Sequence, residues 1–247
     1  MKKNICQIIL RSVLRSCFAA VIISQLLIPT AFSSECLSKY PPKYPPKYPT
    51  ECPNDKIEIV LEGGTLKQYY TENMTRDVLR QVPLSLRKRI NKITLASEES
   101  QSNGYWRQLY NDPTFTTAAS VNLREVHITI FPISPERCSS GILKENLIHE
   151  GAHILDWQLG GGKYFSDGEQ WETAIAEDKK YDCQTFKEEY CVTQFAEDTR
   201  QKRKTNCEDF AESCEIFFEN LTYFEKYFPN RAKIIKEVIP DWKEPAA

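Results

Sequence analysis

The stretch "NLIHEGAHILDW", residues 146–157, decides how the rest of the chain is read. Two of the chain's three histidines, His149 and His153, stand four apart in it, with Glu150 next to the first. The spacing predicts a helix from about 142 to 159, ended by "GGG" at 160–162. Ile148, Ala152 and Leu155 then form an apolar stripe, and His149, His153 and Asp156 repeat that spacing one position later. Histidines one turn apart can turn both imidazoles toward one tetrahedral ion. Glu150 is rotated about 100° from His149, so it can reach a water beside the metal without coordinating it. Asp156 lies two turns from His149, about 10 Å along the axis, too far to be a third ligand. A supporting role suits it, such as holding a ligand's far ring nitrogen.

A third ligand has to come from another element. "TNCEDFAESCEIFFENL", 205–221, reads as the start of a helix running to about Phe228, with Phe210, Cys214, Phe217 and Leu221 on its apolar face. Glu208 and Glu212 share another face one turn apart, suited to a ligand and its support. With Glu215 and Glu219 they also fit a solvated acidic stripe.

The rest of the chain sets the context. Residues 1–33 carry Lys2, Lys3, Arg11 and Arg15, no acid, then the apolar run "CFAAVIISQLLIPTAF". This run falls short of the ~20 residues that cross a bilayer and reads as a secretory signal peptide. Its removal leaves 28 basic against 34 acidic residues, so the formal charge moves from −2 to −6. No basic footprint for nucleic acid exists in such a chain. Residues 34–54 hold the repeat "KYPPKYPPKYP", an extended proline-rich linker with two PPKY units, and the folded domain is expected over 55–247.

Seven of the nine cysteines lie beyond the signal, which in an exported chain implies disulfides, with Cys36–Cys52 and Cys183–Cys191 as local pairs. Cys207 and Cys214, seven apart in one helix, are too far apart to pair. Strands are expected at "KIEIVLEGG", at "ITLAS", and at "VNLREVHITIF", where Val126, Ile128 and Ile130 share a face. A helical stretch over 75–91 is interrupted by Pro83, and residues 98–120 read as loop. Strands before helices without regular alternation indicate an α+β domain.

"HEGAHILD", followed some fifty residues later by "NCEDFAES", resembles the lethal-factor-like zinc peptidases, which include the catalytic domain of anthrax lethal factor and the secreted Pro-Pro endopeptidases. The resemblance covers roughly 120–240. It implies a small mixed sheet with an edge strand beside a zincin helix and a second, ligand-bearing helix. It also implies one Zn²⁺ per chain held by His149, His153 and Glu208, with Glu212 in support and Glu150 as the catalytic glutamate. "VHITIF" looks like the edge strand on which an extended peptide lies. The implied function is that of a secreted, toxin-like, monomeric endopeptidase acting on protein or peptide. The alternative is a catalytically weakened domain that binds peptides without cutting them. One departure stands out: the family's oxyanion-holding tyrosine, counted back from Glu208, falls on Gln201. If "VTQFAED" is the equivalent segment it falls on Phe195, leaving Tyr181, Tyr190 or His127 as substitutes.

Overall fold

The structure, a computed structural model, describes residues 56–178 and 192–243. The domain is α+β. Four short strands, β1 (Glu58–Leu61), β2 (Lys92–Leu95), β3 (Ala119–Asn122) and β4 (His127–Ile130), form one mixed sheet. Their order is β1-β2-β4-β3, parallel except for β3, which runs against β4. The helices are α1 (Glu72–Leu79), α2 (Leu84–Arg87), α3 (Asn103–Tyr110), α4 (Ser140–Leu159), α5 (Glu169–Asp178), α6 (Gln194–Arg203), α7 (Cys207–Glu219), α8 (Leu221–Tyr227) and α9 (Pro229–Val238).

Alternation explains how the sheet sits. In register, Ile93, Ile128 and Val121 make one row and Leu95, Ile130 and Ala119 another, all buried on the face that joins the core with α4 and α7. The opposite face carries Thr94, Thr129 and Ser120, then Lys92, His127 and Asn122. Ser139 caps α4 by accepting a hydrogen bond from the Ile142 amide at 3.2 Å. Gly151, in the middle of "HEGAH", lets α2 come close: a Cβ there would stand 3.3 Å from Leu86 Cβ. Past the helix, Gly161 and Gly162 take positive φ, 65° and 93°, and turn the chain back toward α7.

Four expectations need correction. "VHITIF" is not an edge strand, because β4 lies between β2 and β3 and the edge on that side is β3. "VNLREVHITIF" is a hairpin rather than one strand. Asn122 Oδ1 accepts from the Arg124 and Glu125 amides at 3.1 and 3.4 Å, and Val126 takes a φ of 49°. The signal was a change of parity: Val121 and Leu123 are odd, Ile128 and Ile130 even, and no single strand buries both sets on one face. Residues 98–120 are not all loop, since they contain α3 and the start of β3. Trp106 and Tyr110, one turn apart on α3, pack with Phe115 and with Phe195 of α6 as a small aromatic cluster. The helix expected to run to Phe228 also breaks at Asn220, whose side chain accepts from the Tyr223 amide and starts α8.

The signal and PPKY segments, the disulfide pairs Cys36–Cys52 and Cys183–Cys191, and Tyr181 and Tyr190 lie outside the described residues. Among those described, the thiols of Cys207 and Cys214 are free, and no helix is long and apolar enough to cross a membrane.

Candidate metal centre

α4 and α7 are the most closely packed helix pair in the domain, and the three expected ligands meet between them. His149 Nε2 lies 3.1 Å from His153 Nε2, Glu208 Oε2 lies 3.3 Å from His149 Nε2, and Glu208 Oε2 lies 3.4 Å from His153 Nε2. All three side chains are buried. Donor atoms about 2.0–2.1 Å from a tetrahedral ion are separated from one another by about 3.3 Å. The observed triangle has that size, and the group could hold a metal ion. Hydrogen bonding accounts for it poorly: two imidazole nitrogens and a carboxylate oxygen in a near-equilateral triangle cannot each present a linear donor to the others.

The far nitrogen of His149 is held as well. Its Nδ1 is 3.3 Å from Glu215 Oε2 and 3.6 Å from Glu212 Oε1, so Glu215 is the nearer partner and Glu212 the more distant. Glu215 was legible only as part of the acidic stripe. That stripe is not solvated: Glu208, Glu212 and Glu215 are buried, and only Glu219 is exposed. His149, Glu212 and Glu215 also form a group able to hold an ion. It draws on the second nitrogen of the same imidazole, so it serves better to fix that ring's tautomer and direction. Asp156 binds neither ring. It accepts from the Ser166 amide at 2.8 Å and the Ser166 hydroxyl at 2.7 Å, tying the end of α4 to the turn at 165–167. His153 Nδ1 has no partner among the described residues.

The buried charge is one-sided. Glu150, Glu208, Glu212 and Glu215 form no ion pair with lysine or arginine among the described residues, and both Glu150 oxygens are buried without a hydrogen-bond partner. Burial alone would hold His149 down, but Glu208, Glu215, Glu212 and Glu150 outweigh it and lift its pKa well above the ordinary value. Burial also lowers His153, with Glu208 opposing. Burial would raise Glu208, yet the two histidines bring it down to about 2. Burial pushes Glu150 up to about 8, helped by Glu208 and Glu215, and raises Asp156 to about 8 against the Ser166 hydrogen bonds.

A pH dependence of stability follows. Glu150 and Asp156 hold a proton in the folded state that the unfolded chain has released, and the raised His149 behaves likewise. Their contribution is full below their unfolded pKa values and is lost as pH rises through the folded ones. His153 and Glu208 are depressed groups, whose contributions are lost only at lower pH. The chelator-treated protein is therefore expected to melt at falling temperature as pH goes from about 6.5 to 8.5. Thermal unfolding across that range checks this, and a flat or rising Tm would contradict it.

The other candidates lie elsewhere. His127 faces away from α4 and sits 2.9 Å from Thr94 Oγ1. Gln201 is exposed and donates to Glu197, and Phe195 belongs to the aromatic cluster. Two donors that sequence reasoning missed are the Tyr164 hydroxyl and Arg203 Nη1, each buried without an acceptor among the described residues. Tyr164 stacks edge-on against Trp157, two residues before the Ser166 that joins α4 to the α7 cap, and Arg203 ends α6 just ahead of α7. No family profile matches the chain, and no curated protein matches it in sequence.

Proposed function

We propose that the chain is a zinc-dependent endopeptidase, its zinc held by His149, His153 and Glu208. The observation that carries this is the donor triangle of 3.1, 3.3 and 3.4 Å, the spacing a tetrahedral ion requires. Two imidazoles and a carboxylate suit zinc, and buried glutamates with no lysine or arginine partner among the described residues favour a cation. The resemblance of "HEGAHILD" and "NCEDFAES" to lethal-factor-like peptidases supports the same reading. The basic and apolar residues 1–33 support export, and the acidic remainder speaks against a nucleic-acid partner. Glu212 and Asp156 are supports: Glu212 acts with Glu215 on His149, and Asp156 acts through Ser166.

Zinc bound here supplies a Lewis acid and lowers the pKa of a water toward ~7. Glu150, next to the ligand His149 and with both oxygens unbonded among the described residues, would as a carboxylate take the proton from the attacking water and pass it to the leaving amine. Extended peptide pairs with β3. There the register turns the backbone groups of Ser120 and Asn122 toward β4 and those of Ala119 and Val121 away from it.

Incubation with a peptide library tests the reading. Internal cleavage should disappear with chelator and return with added zinc. A protein that binds zinc stoichiometrically and cuts nothing would instead be a peptide-binding domain.

A further inference from the structure

Glu208 is the one ligand not on α4, so the centre's geometry depends on how α7 is set against α4. On one flank the start of α7 is held by Thr205 Oγ1, which accepts from the Cys207 amide at 3.3 Å, and by Asp167, which accepts from the Asn206 amide at 2.7 Å. A second, fully buried anchor is on the other flank. Asp209, next to Glu208 and so rotated about 100° from it, accepts from Arg231 Nη1 at 3.0 Å through Oδ1 and 2.8 Å through Oδ2. It also accepts from Trp171 Nε1 at 3.0 Å. Arg231 in turn donates through Nε to Asp178 Oδ2 at 2.9 Å, while the Asn230 amide and side chain donate to Asp178 Oδ1 at 2.8 and 3.0 Å. One guanidinium thus joins α5, α7 and α9. Arg231, Asp209 and Trp171 are at most 1% exposed.

Such a network is a poor way to gain stability. Burying a guanidinium and two carboxylates incurs a desolvation cost that apolar side chains of similar volume avoid. What it supplies is direction, because a planar fork engaged on two sides tolerates little rotation of either partner. Sliding or turning α7 would break the Arg231–Asp209 pair, which is buried away from solvent. The same motion would open the triangle that Glu208 closes.

We propose that Arg231 is a positioning residue for the metal centre, holding Glu208 at its ligating distance through Asp209. The inference rests on the zinc reading and adds a residue of the last helix to it. The effect belongs to ligands outside the immediate shell, whose loss typically costs ~10–100-fold in affinity.

The test is Zn²⁺ affinity, by competition with a chromophoric chelator, together with Tm, for the purified wild type, Arg231→Met, Arg231→Lys and Asp209→Asn. Phe115→Leu serves as a control that lowers Tm from the separate aromatic cluster. The expected result is zinc affinity reduced ~10–100-fold in Arg231→Met and Asp209→Asn, partly restored in Arg231→Lys, and unchanged in Phe115→Leu. If Arg231→Met does not fold, Asp209→Asn, which keeps the shape of the site, carries the comparison. Wild-type affinity in the folded Arg231 and Asp209 variants, or an equal loss in Phe115→Leu, overturns the inference alone. A wild type that binds no zinc removes the zinc reading along with it.

Discussion

Glu150→Gln is expected to lower peptide hydrolysis by ~10²–10⁴-fold while leaving zinc bound. The glutamine keeps the shape of the side chain and removes only its ability to take and return a proton. Because Glu150 lies off the His149–His153 face, it holds none of the donor atoms of the triangle. Both its oxygens are buried and make no hydrogen bond, so the substitution breaks no contact of the fold. Below about pH 8 the metal-free folded chain already holds Glu150 protonated, so a neutral glutamine leaves the charge there unchanged. The metal-free variant should therefore be about as stable as the wild type. Turnover of a cleaved peptide, zinc content and Tm together decide the matter. Hydrolysis that survives the change, or zinc that is lost with it, would refute the role.

Glu208→Ala should act on the metal itself. Zinc sites of this kind bind with roughly 10–16 kcal/mol, and one of three protein ligands accounts for about a third, or ~3–5 kcal/mol. That corresponds to a loss of roughly 10²–10⁴ in affinity. The fold should hold, because the neighbours that anchor α7 remain: Asp209 on Arg231, and Asp167, which accepts from the Asn206 amide at 2.7 Å. The comparison with Glu212→Ala is the informative one. Glu212 lies 3.6 Å from His149 Nδ1, behind the nearer Glu215, and its loss should weaken binding far less than that of Glu208. Equal losses in both variants, by chelator competition, would mean that the ligand has been misassigned.

The chemistry of this site was more legible in the sequence than its surroundings. His149, Glu150, His153 and Glu208 could be singled out because helical spacing is a strong local rule: residues four apart on α4 and the first turn of α7 carry their geometry with them. Choosing between a ligand-bearing and a solvated acidic helix was not a local matter. It depends on α4 packing against α7, which buries Glu212 and Glu215 beside His149. Asp156 illustrates the same limit, since nothing near it in sequence shows that Ser166, ten residues on, would take both its oxygens. Two period-2 patterns of opposite parity meet across "LREV", so the stretch reads as one strand where the sheet has a hairpin, and the edge position belongs to β3, not β4. The Arg231–Asp209–Asp178 network was invisible, because a lone arginine in an amphipathic last helix ordinarily faces water. Its burial follows only from three helices meeting on one guanidinium.

Whether an ion occupies the triangle is measured most directly by metal analysis of the purified protein combined with zinc-edge X-ray absorption. The expected result is close to one zinc per chain, in a shell of nitrogen and oxygen donors at about 2.0–2.1 Å, consistent with two imidazoles and a carboxylate. Protein that stays zinc-free when offered the metal, or a shell containing sulfur at about 2.3 Å, would contradict it and leave His149, His153 and Glu208 as a buried polar cluster with another purpose.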